Sequence, residues 1–195
     1  MIVGVLALQG AVREHVRALE AVGAEARTVK KSSELAGLDG LVFPGGESTA
    51  MALLAEGGLL AELRRLASSG LPMFGTCAGM ILLADEVEGR EEPIVGGIDI
   101  AVARNASGRQ VDSYETTLDV RGIGPDVAAV FIRAPYITRV GPRVEVLAHR
   151  GEVAVMTRQG RILVASFHPE LTDDRRVHGY FVDMIRGHFG KGERG

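Results

Sequence analysis

Leu71-Pro72-Met73-Phe74-Gly75-Thr76-Cys77-Ala78-Gly79-Met80-Ile81-Leu82-Leu83-Ala84 decides the fold. Leu71 to Phe74 is a short apolar run of strand character, and Met80 to Ala84 begins an apolar helical pattern. Gly75-Thr76-Cys77-Ala78-Gly79 joins them, so the chain passes from strand to helix within a few residues. This is the setting of a nucleophile elbow, with Cys at the centre of the Gly-x-Ser-x-Gly pattern. The turn strains its central residue and brings neighbouring chain close, so the flanking side chains must be minimal. It also projects the sulfur above the sheet. The helix N-terminus that follows favours thiolate and offers the Ala78 N–H to a developing oxyanion. The competing reading of Cys77 is an inert buried thiol.

Outward from this stretch the first half alternates strand and helix. Ile2 to Leu8 is a continuous apolar run ended by Gln9-Gly10, the pattern of a strand buried on both faces. Ala11 to Val22 places Val12, Val16 and Leu19 on one helical face, and Gly23 closes it. Glu25 to Val29 and Gly40 to Phe43 read as strands, and Leu59 to Ala67 as a helix. Parallel neighbours need such crossovers, so an open α/β sheet covered on both faces is expected. Between Gly96 and Phe167 short β-rich stretches follow one another: 98–103, 116–120, 128–132, 144–147, 153–157 and 162–166. These predict antiparallel strands added to a mainly parallel sheet. Asp174 to Phe189 predicts a closing helix with Val177, Phe181, Met184 and Ile185 as its apolar stripe. A single domain over residues 1–190 is expected, with a frayed polar tail at 191–195.

Composition narrows the function classes. The chain has 195 residues, 46% of them hydrophobic, enough to bury a core without disulfides or a structural metal. Its single cysteine cannot pair within the chain, and its five scattered histidines leave no Cys-based zinc site, so neither metal nor cofactor is expected. A net charge of −3, no Trp and 5% aromatics argue against nucleic-acid binding. No apolar run approaches the roughly 20 residues of a membrane span. The N-terminus lacks signal-peptide character, so a cytoplasmic setting is expected, in keeping with a reduced thiol.

Ser166-Phe167-His168-Pro169-Glu170 follows the apolar strand ending at Ala165. In extended chain His168 and Glu170 point to one side. A nucleophilic thiol needs a base, and the base needs an acceptor to fix its tautomer; this segment supplies both. Pro44-Gly45-Gly46-Glu47-Ser48-Thr49 also follows a strand, but without a phosphate-loop lysine. A mobile Gly-Gly peptide facing a substrate carbonyl, with Glu47 and Ser48 beside it, is the better reading. His15, His149, His178 and His188 read as surface or half-buried, and Arg175-Arg176 as a solvated face.

Gly-x-Cys-x-Gly, a later His-Pro-Glu and an earlier Pro-Gly-Gly resemble the triad-type (class I) glutamine amidotransferases, which have a flavodoxin-like fold. Leu6 to Gly10, Glu14-His15, Pro44 to Thr49, Gly75 to Leu83, Arg104-Asn105, Gly108 to Gln110, Phe131 to Pro135 and Phe167 to Leu171 further resemble the glutaminase subunits of pyridoxal 5′-phosphate synthase. Ser107 and Tyr114 depart from that pattern, away from the triad. The resemblance implies glutamine hydrolysis through a thioester on Cys77, with His168 carrying the proton and Glu170 orienting the ring. It implies an oxyanion hole from the Gly46 and Ala78 N–H groups, and glutamine contacts from Gly46, Glu47, Ser48, Arg104, Ile132 and Arg133, the last three partly through backbone. The substrate's α-carboxylate calls for a fork of donors, which Arg121 or Arg139 could supply equally on chemistry alone; the choice of Arg104 and Arg133 rests on the resemblance. It implies a separate (β/α)₈ synthase subunit that receives the ammonia, since such a barrel takes about 250 residues. Gln9, Gly10 and His15 are the expected contacts with that partner, and the Gly45-Gly46 peptide the expected gate. The alternatives are a glutaminase serving another synthase, such as that of imidazole glycerol phosphate, a Cys peptidase or thiol-redox protein, and a non-catalytic interaction module.

Overall fold

β1 (Ile2–Leu6) has β2 (Glu25–Val29) and β3 (Gly40–Phe43) as its parallel neighbours, with α1 (Val12–Ala21) as the first crossover. The computed structural model describes residues 1–46, 58–104 and 113–187. α2 (Leu59–Ser68) precedes β4 (Met73–Thr76), which pairs parallel with β3. The strand predicted over 71–74 thus lies two residues further on and runs to the edge of the cysteine turn. α3 (Ala78–Leu83) begins directly after Cys77 and gives way at Ala84 to β5 (Ala84–Val87), a strand not anticipated from the sequence.

The second half distributes its strands differently from the expectation. β6 (Ile98–Ala103) pairs with β5 and with β9 (Tyr136–Val140), a second unanticipated strand, in a separate three-stranded sheet. β7 (Tyr114–Val120) and β8 (Gly124–Phe131) form a two-stranded ribbon. Only β10 (Glu145–Arg150) and β11 (Val153–Gln159) extend the main sheet antiparallel. β12 (Ile162–Ala165) joins it parallel to β4, because all four of its residues are buried and it needs cover on both faces. The seven-stranded order is β10-β11-β12-β4-β3-β1-β2. The fold class is therefore as read, an open mixed sheet that is mainly parallel.

One face buries Val12, Val16 and Leu19 of α1 with Val177 and Phe181 of α4 (Arg176–Arg186) and the inner side of the ribbon. The other buries Leu59 and Leu63 of α2 and Met80 and Leu83 of α3 against the three-stranded sheet. α4 is shorter than predicted, its C-cap Gly187 taking the left-handed conformation. Because β3, β4 and β12 are adjacent and parallel, the segments leaving their C-terminal ends converge. That edge of an α/β sheet is where ligands bind. The tail at 191–195, His188, Glu47 and Ser48 lie outside the described residues.

Candidate active site

Cys77 has φ +49° and ψ −109°, a conformation costly for a residue with a side chain. The surroundings fix it: its N–H donates to Ala165 O at 2.8 Å, and its carbonyl accepts from Met80 N–H at 3.0 Å. A Cβ on Gly75 would meet the Gly79 carbonyl oxygen at 2.5 Å, and one on Gly79 would run into the Phe43 carbonyl. Both glycines are thus dictated by the close return of α3 over β3 and β4. The sulfur is largely buried, with the Ile132 carbonyl 3.9 Å away, and Ala78 opens the helix beside it.

His168 leaves the end of β12 with its N–H donating to Val130 O of β8 at 2.8 Å. Its Nδ1 lies 2.7 Å from Glu170 Oε1. The two side chains meet across a 3₁₀ turn at Pro169–Leu171 rather than along extended chain. Nδ1 being committed to the carboxylate, Nε2 is left for the sulfur, with which the ring interacts. Burial opposes a charged imidazole, yet the Cys77 sulfur and the Glu170 carboxylate together push it up to about 10. Burial likewise opposes the Glu170 carboxylate, but His15 and His168 hold it well below the ordinary range.

The Gly45-Gly46 loop packs directly on this group. A Cβ on Gly45 would strike the His168 ring and come within 3.1 Å of Cys77 Cβ. The Gly45 N–H donates to Thr76 Oγ1 at 3.2 Å. Gly10 abuts the same loop from the other side, since a Cβ there would run into the Gly45 carbonyl oxygen. Gln9 and Gly10 are exposed.

Ile132 and Arg133 occupy the turn after β8, with Arg133 at φ +44°. Ala103 opposite Tyr136 brings Arg104, at the end of β6, toward the same turn. Arg139 instead bridges Glu86 and Asp99 at 2.8 Å each, and Arg121 pairs with Glu145 at 3.4 Å. Arg121 and Arg139 are thus each engaged in an ion pair with acidic side chains. Among the described residues no group of three or more His, Cys, Asp or Glu is placed to hold a metal ion. No described helix is long and apolar enough to cross a membrane.

His15 and His178 overturn their sequence readings. Both are fully buried, so His15 cannot be a direct partner contact. His15 Nδ1 lies 3.0 Å from His178 Nε2, and His15 Nε2 lies 3.1 Å from Thr76 Oγ1 and 3.5 Å from Glu170 Oε2. The signal was in the periodicity: His15 belongs with Val12, Val16 and Leu19 at helical spacing, on the stripe that packs inward. His149 is exposed as expected, and Arg176 is held by Asp174 and the Pro125 and Asp126 carbonyls at the surface.

A thiol, an imidazole and a buried carboxylate gathered above the ends of parallel strands are the arrangement of a triad-type glutamine amidotransferase. The profile of the SNO glutamine amidotransferase family matches residues 5–187, and the chain belongs to that family. It is 57% identical over 185 residues to the pyridoxal 5′-phosphate synthase subunit PdxT of Bacillus mycoides (strain KBAB4), covering 94% of each chain. It is 56% identical over 187 residues to the same subunit of Geobacillus thermodenitrificans (strain NG80-2), covering 95% of this chain and 96% of that one. A solved structure described as a glutamine amidotransferase superposes with a TM-score of 0.89 at 49% identity, over 95% of this chain and 100% of that chain. A putative GMP synthase component from Thermoplasma acidophilum, 18% identical with a TM-score of 0.70 over 96% of this chain and 95% of its own, shares the fold.

Proposed function

We propose that this chain is the glutaminase subunit of a pyridoxal 5′-phosphate synthase, with Cys77, His168 and Glu170 as its catalytic triad. The observation that carries the catalytic assignment is the strained Cys77 turn facing a buried His168 that is bonded to Glu170 at 2.7 Å. The identity of about 57% to a pyridoxal 5′-phosphate synthase subunit over nearly the whole chain supports the choice of pathway over another synthase.

His168 holds the proton given up by the Cys77 thiol, and the sulfur attacks the glutamine carboxamide carbon, forming the C–S bond. The Gly46 and Ala78 N–H groups receive the oxyanion. Collapse breaks the C–N bond while His168 passes its proton to the departing nitrogen, which leaves as ammonia. Water then attacks the thioester, giving its proton to His168, and glutamate departs as the C–S bond breaks. Glu170 keeps the ring aligned and stabilises its positive charge throughout. Arg104 and Arg133 hold the α-carboxylate, with Ile132 contributing backbone beside the sulfur and Glu47 and Ser48 completing the glutamine site.

The ammonia passes to a separate (β/α)₈ synthase subunit in a cytoplasmic complex, and the exposed Gln9-Gly10 turn is its docking point. Gly10 packs on the Gly45 carbonyl, so pressure on that turn reaches the Gly45-Gly46 peptide directly. Acid quenching of the complex during glutamine turnover, followed by peptide mass analysis, tests the chemistry. A glutamyl adduct on Cys77 is expected; turnover with an adduct elsewhere, or with none under conditions that trap thioesters, contradicts it.

A further inference from the structure

A buried polar chain runs behind the triad, on the side of Glu170 away from His168. Glu170 uses Oε1 for His168, while Oε2 is buried with no hydrogen-bond partner within normal distance among the described residues. The polar group facing Oε2 is His15 Nε2, 3.5 Å away. That same nitrogen lies 3.1 Å from Thr76 Oγ1, which accepts the Gly45 N–H at 3.2 Å. One imidazole therefore touches both the carboxylate of the triad and the residue that holds the Gly-Gly loop.

The protons can be assigned from the same contacts. Burial first, and His15 beside it second, hold His178 down to about 3, so its ring is neutral near pH 7. His178 Nδ1 is buried without a hydrogen-bond partner among the described residues, and an N–H left there would be an orphaned donor. The hydrogen sits on Nε2 and is donated to His15 Nδ1 across 3.0 Å. His15 then carries a hydrogen on Nε2, pointing between Thr76 and Glu170. The opposite assignment would aim a lone pair at a carboxylate. Phe74 packs edge-on against both rings, with centroids 6.1 and 5.7 Å away, which restricts their rotation.

We propose that His15 is a positioning residue that ties the Glu170 carboxylate to the Gly45 amide through Thr76, so that triad alignment and the set of the Gly45-Gly46 peptide are fixed together. The proposal rests on the glutaminase reading given above. Its effect falls on the transition state, where the imidazole and the oxyanion donors must be in place at once, and little on glutamine binding.

The test measures glutamine-dependent ammonia release by the assembled complex for wild type, C77A, H15L, H15Q, T76V and the H15L/T76V double variant. Wild type that releases no Cys77-dependent ammonia overturns the glutaminase reading and the proposal with it. With wild type active, H15L is expected to lose about tenfold to a hundredfold in kcat with KM within about twofold. Gln, whose amide can place an N–H near Nε2, is expected to recover most of the loss. T76V is expected to lose kcat as well, and the double variant to lose no more than the worse single one, because both cut the same link. Folded His15 and Thr76 variants with wild-type kcat, or losses that multiply in the double variant, overturn the proposal and leave the glutaminase reading intact. If H15L does not fold, H15Q and T76V decide: near-normal H15Q beside an impaired T76V supports the link, and an unimpaired T76V overturns it.

Discussion

Glu170 is the residue on which the candidate site depends most, being buried, ionised and shared between two imidazoles. E170Q keeps its shape and removes its charge, so the His168 ring loses its orienting anion. Glutamine turnover is expected to fall by about a hundredfold or more, measured as ammonia release. Linkage gives a second expectation. The folded pKa of Glu170 is lowered, so its contribution to stability is full above the ordinary value of 4.5 and fades as pH falls below it. That of His168 is raised to about 10, so its contribution is full below 6.5 and fades as pH rises toward 10. The melting-temperature gap between wild type and E170Q should accordingly be widest between about pH 4.5 and 6.5 and narrow on either side; a gap flat from pH 3 to 10 contradicts the pairing. Cys77, His168 and Glu170 were legible because each sits in a short motif at a strand end. His15 and His178, read from the sequence as surface or half-buried, sit at helical spacing on inward stripes, and that spacing does not show that they meet, since their helices are far apart in sequence.

At the scale of elements, the site depends on α3 returning close over β3 and β4. Gly79→Ala drives a methyl group into the Phe43 carbonyl, which rigid backbone cannot yield cheaply. A loss of about 1–3 kcal/mol in urea unfolding is expected, with reduced turnover as Cys77 shifts. Leu63→Ala, in α2 and in the same core cluster as Met80 and Leu83 of α3 but outside the cysteine turn, should cost about 2–5 kcal/mol through its cavity with the turnover of the folded protein kept. Together they separate packing from positioning. Continuous apolar runs betrayed β1, β3 and β12, and helical spacing betrayed α1, α2 and α4. β5 escaped notice because Ala84 to Val87 continues an apolar helical stretch without a turn residue. β9 escaped because Tyr136 to Val140 carries exposed Thr138 and Arg139, whose reason for being in a strand is a partner, β6, far away in sequence. The parallel pairing of β12 with β4 is likewise a long-range fact, settled by burial on both faces.

For the whole molecule, the close approach of Gly10 to the Gly45 carbonyl couples the β1–α1 turn to the loop proposed to supply one oxyanion donor. The isolated chain should therefore hydrolyse glutamine slowly, and addition of the synthase subunit should raise the rate; equal rates with and without it would remove the gate from the mechanism. A bulkier residue at Gly10 should uncouple the two even where the complex still forms, seen as normal co-elution with poor stimulation. One cysteine in 195 residues also makes the chemistry unusually open to a single substitution. Glutamine-dependent ammonia release by the assembled complex carrying C77A is the measurement that bears most directly on the assignment. A fall of at least about a thousandfold, with the complex still formed, is the predicted result; activity within twofold of wild type would contradict it.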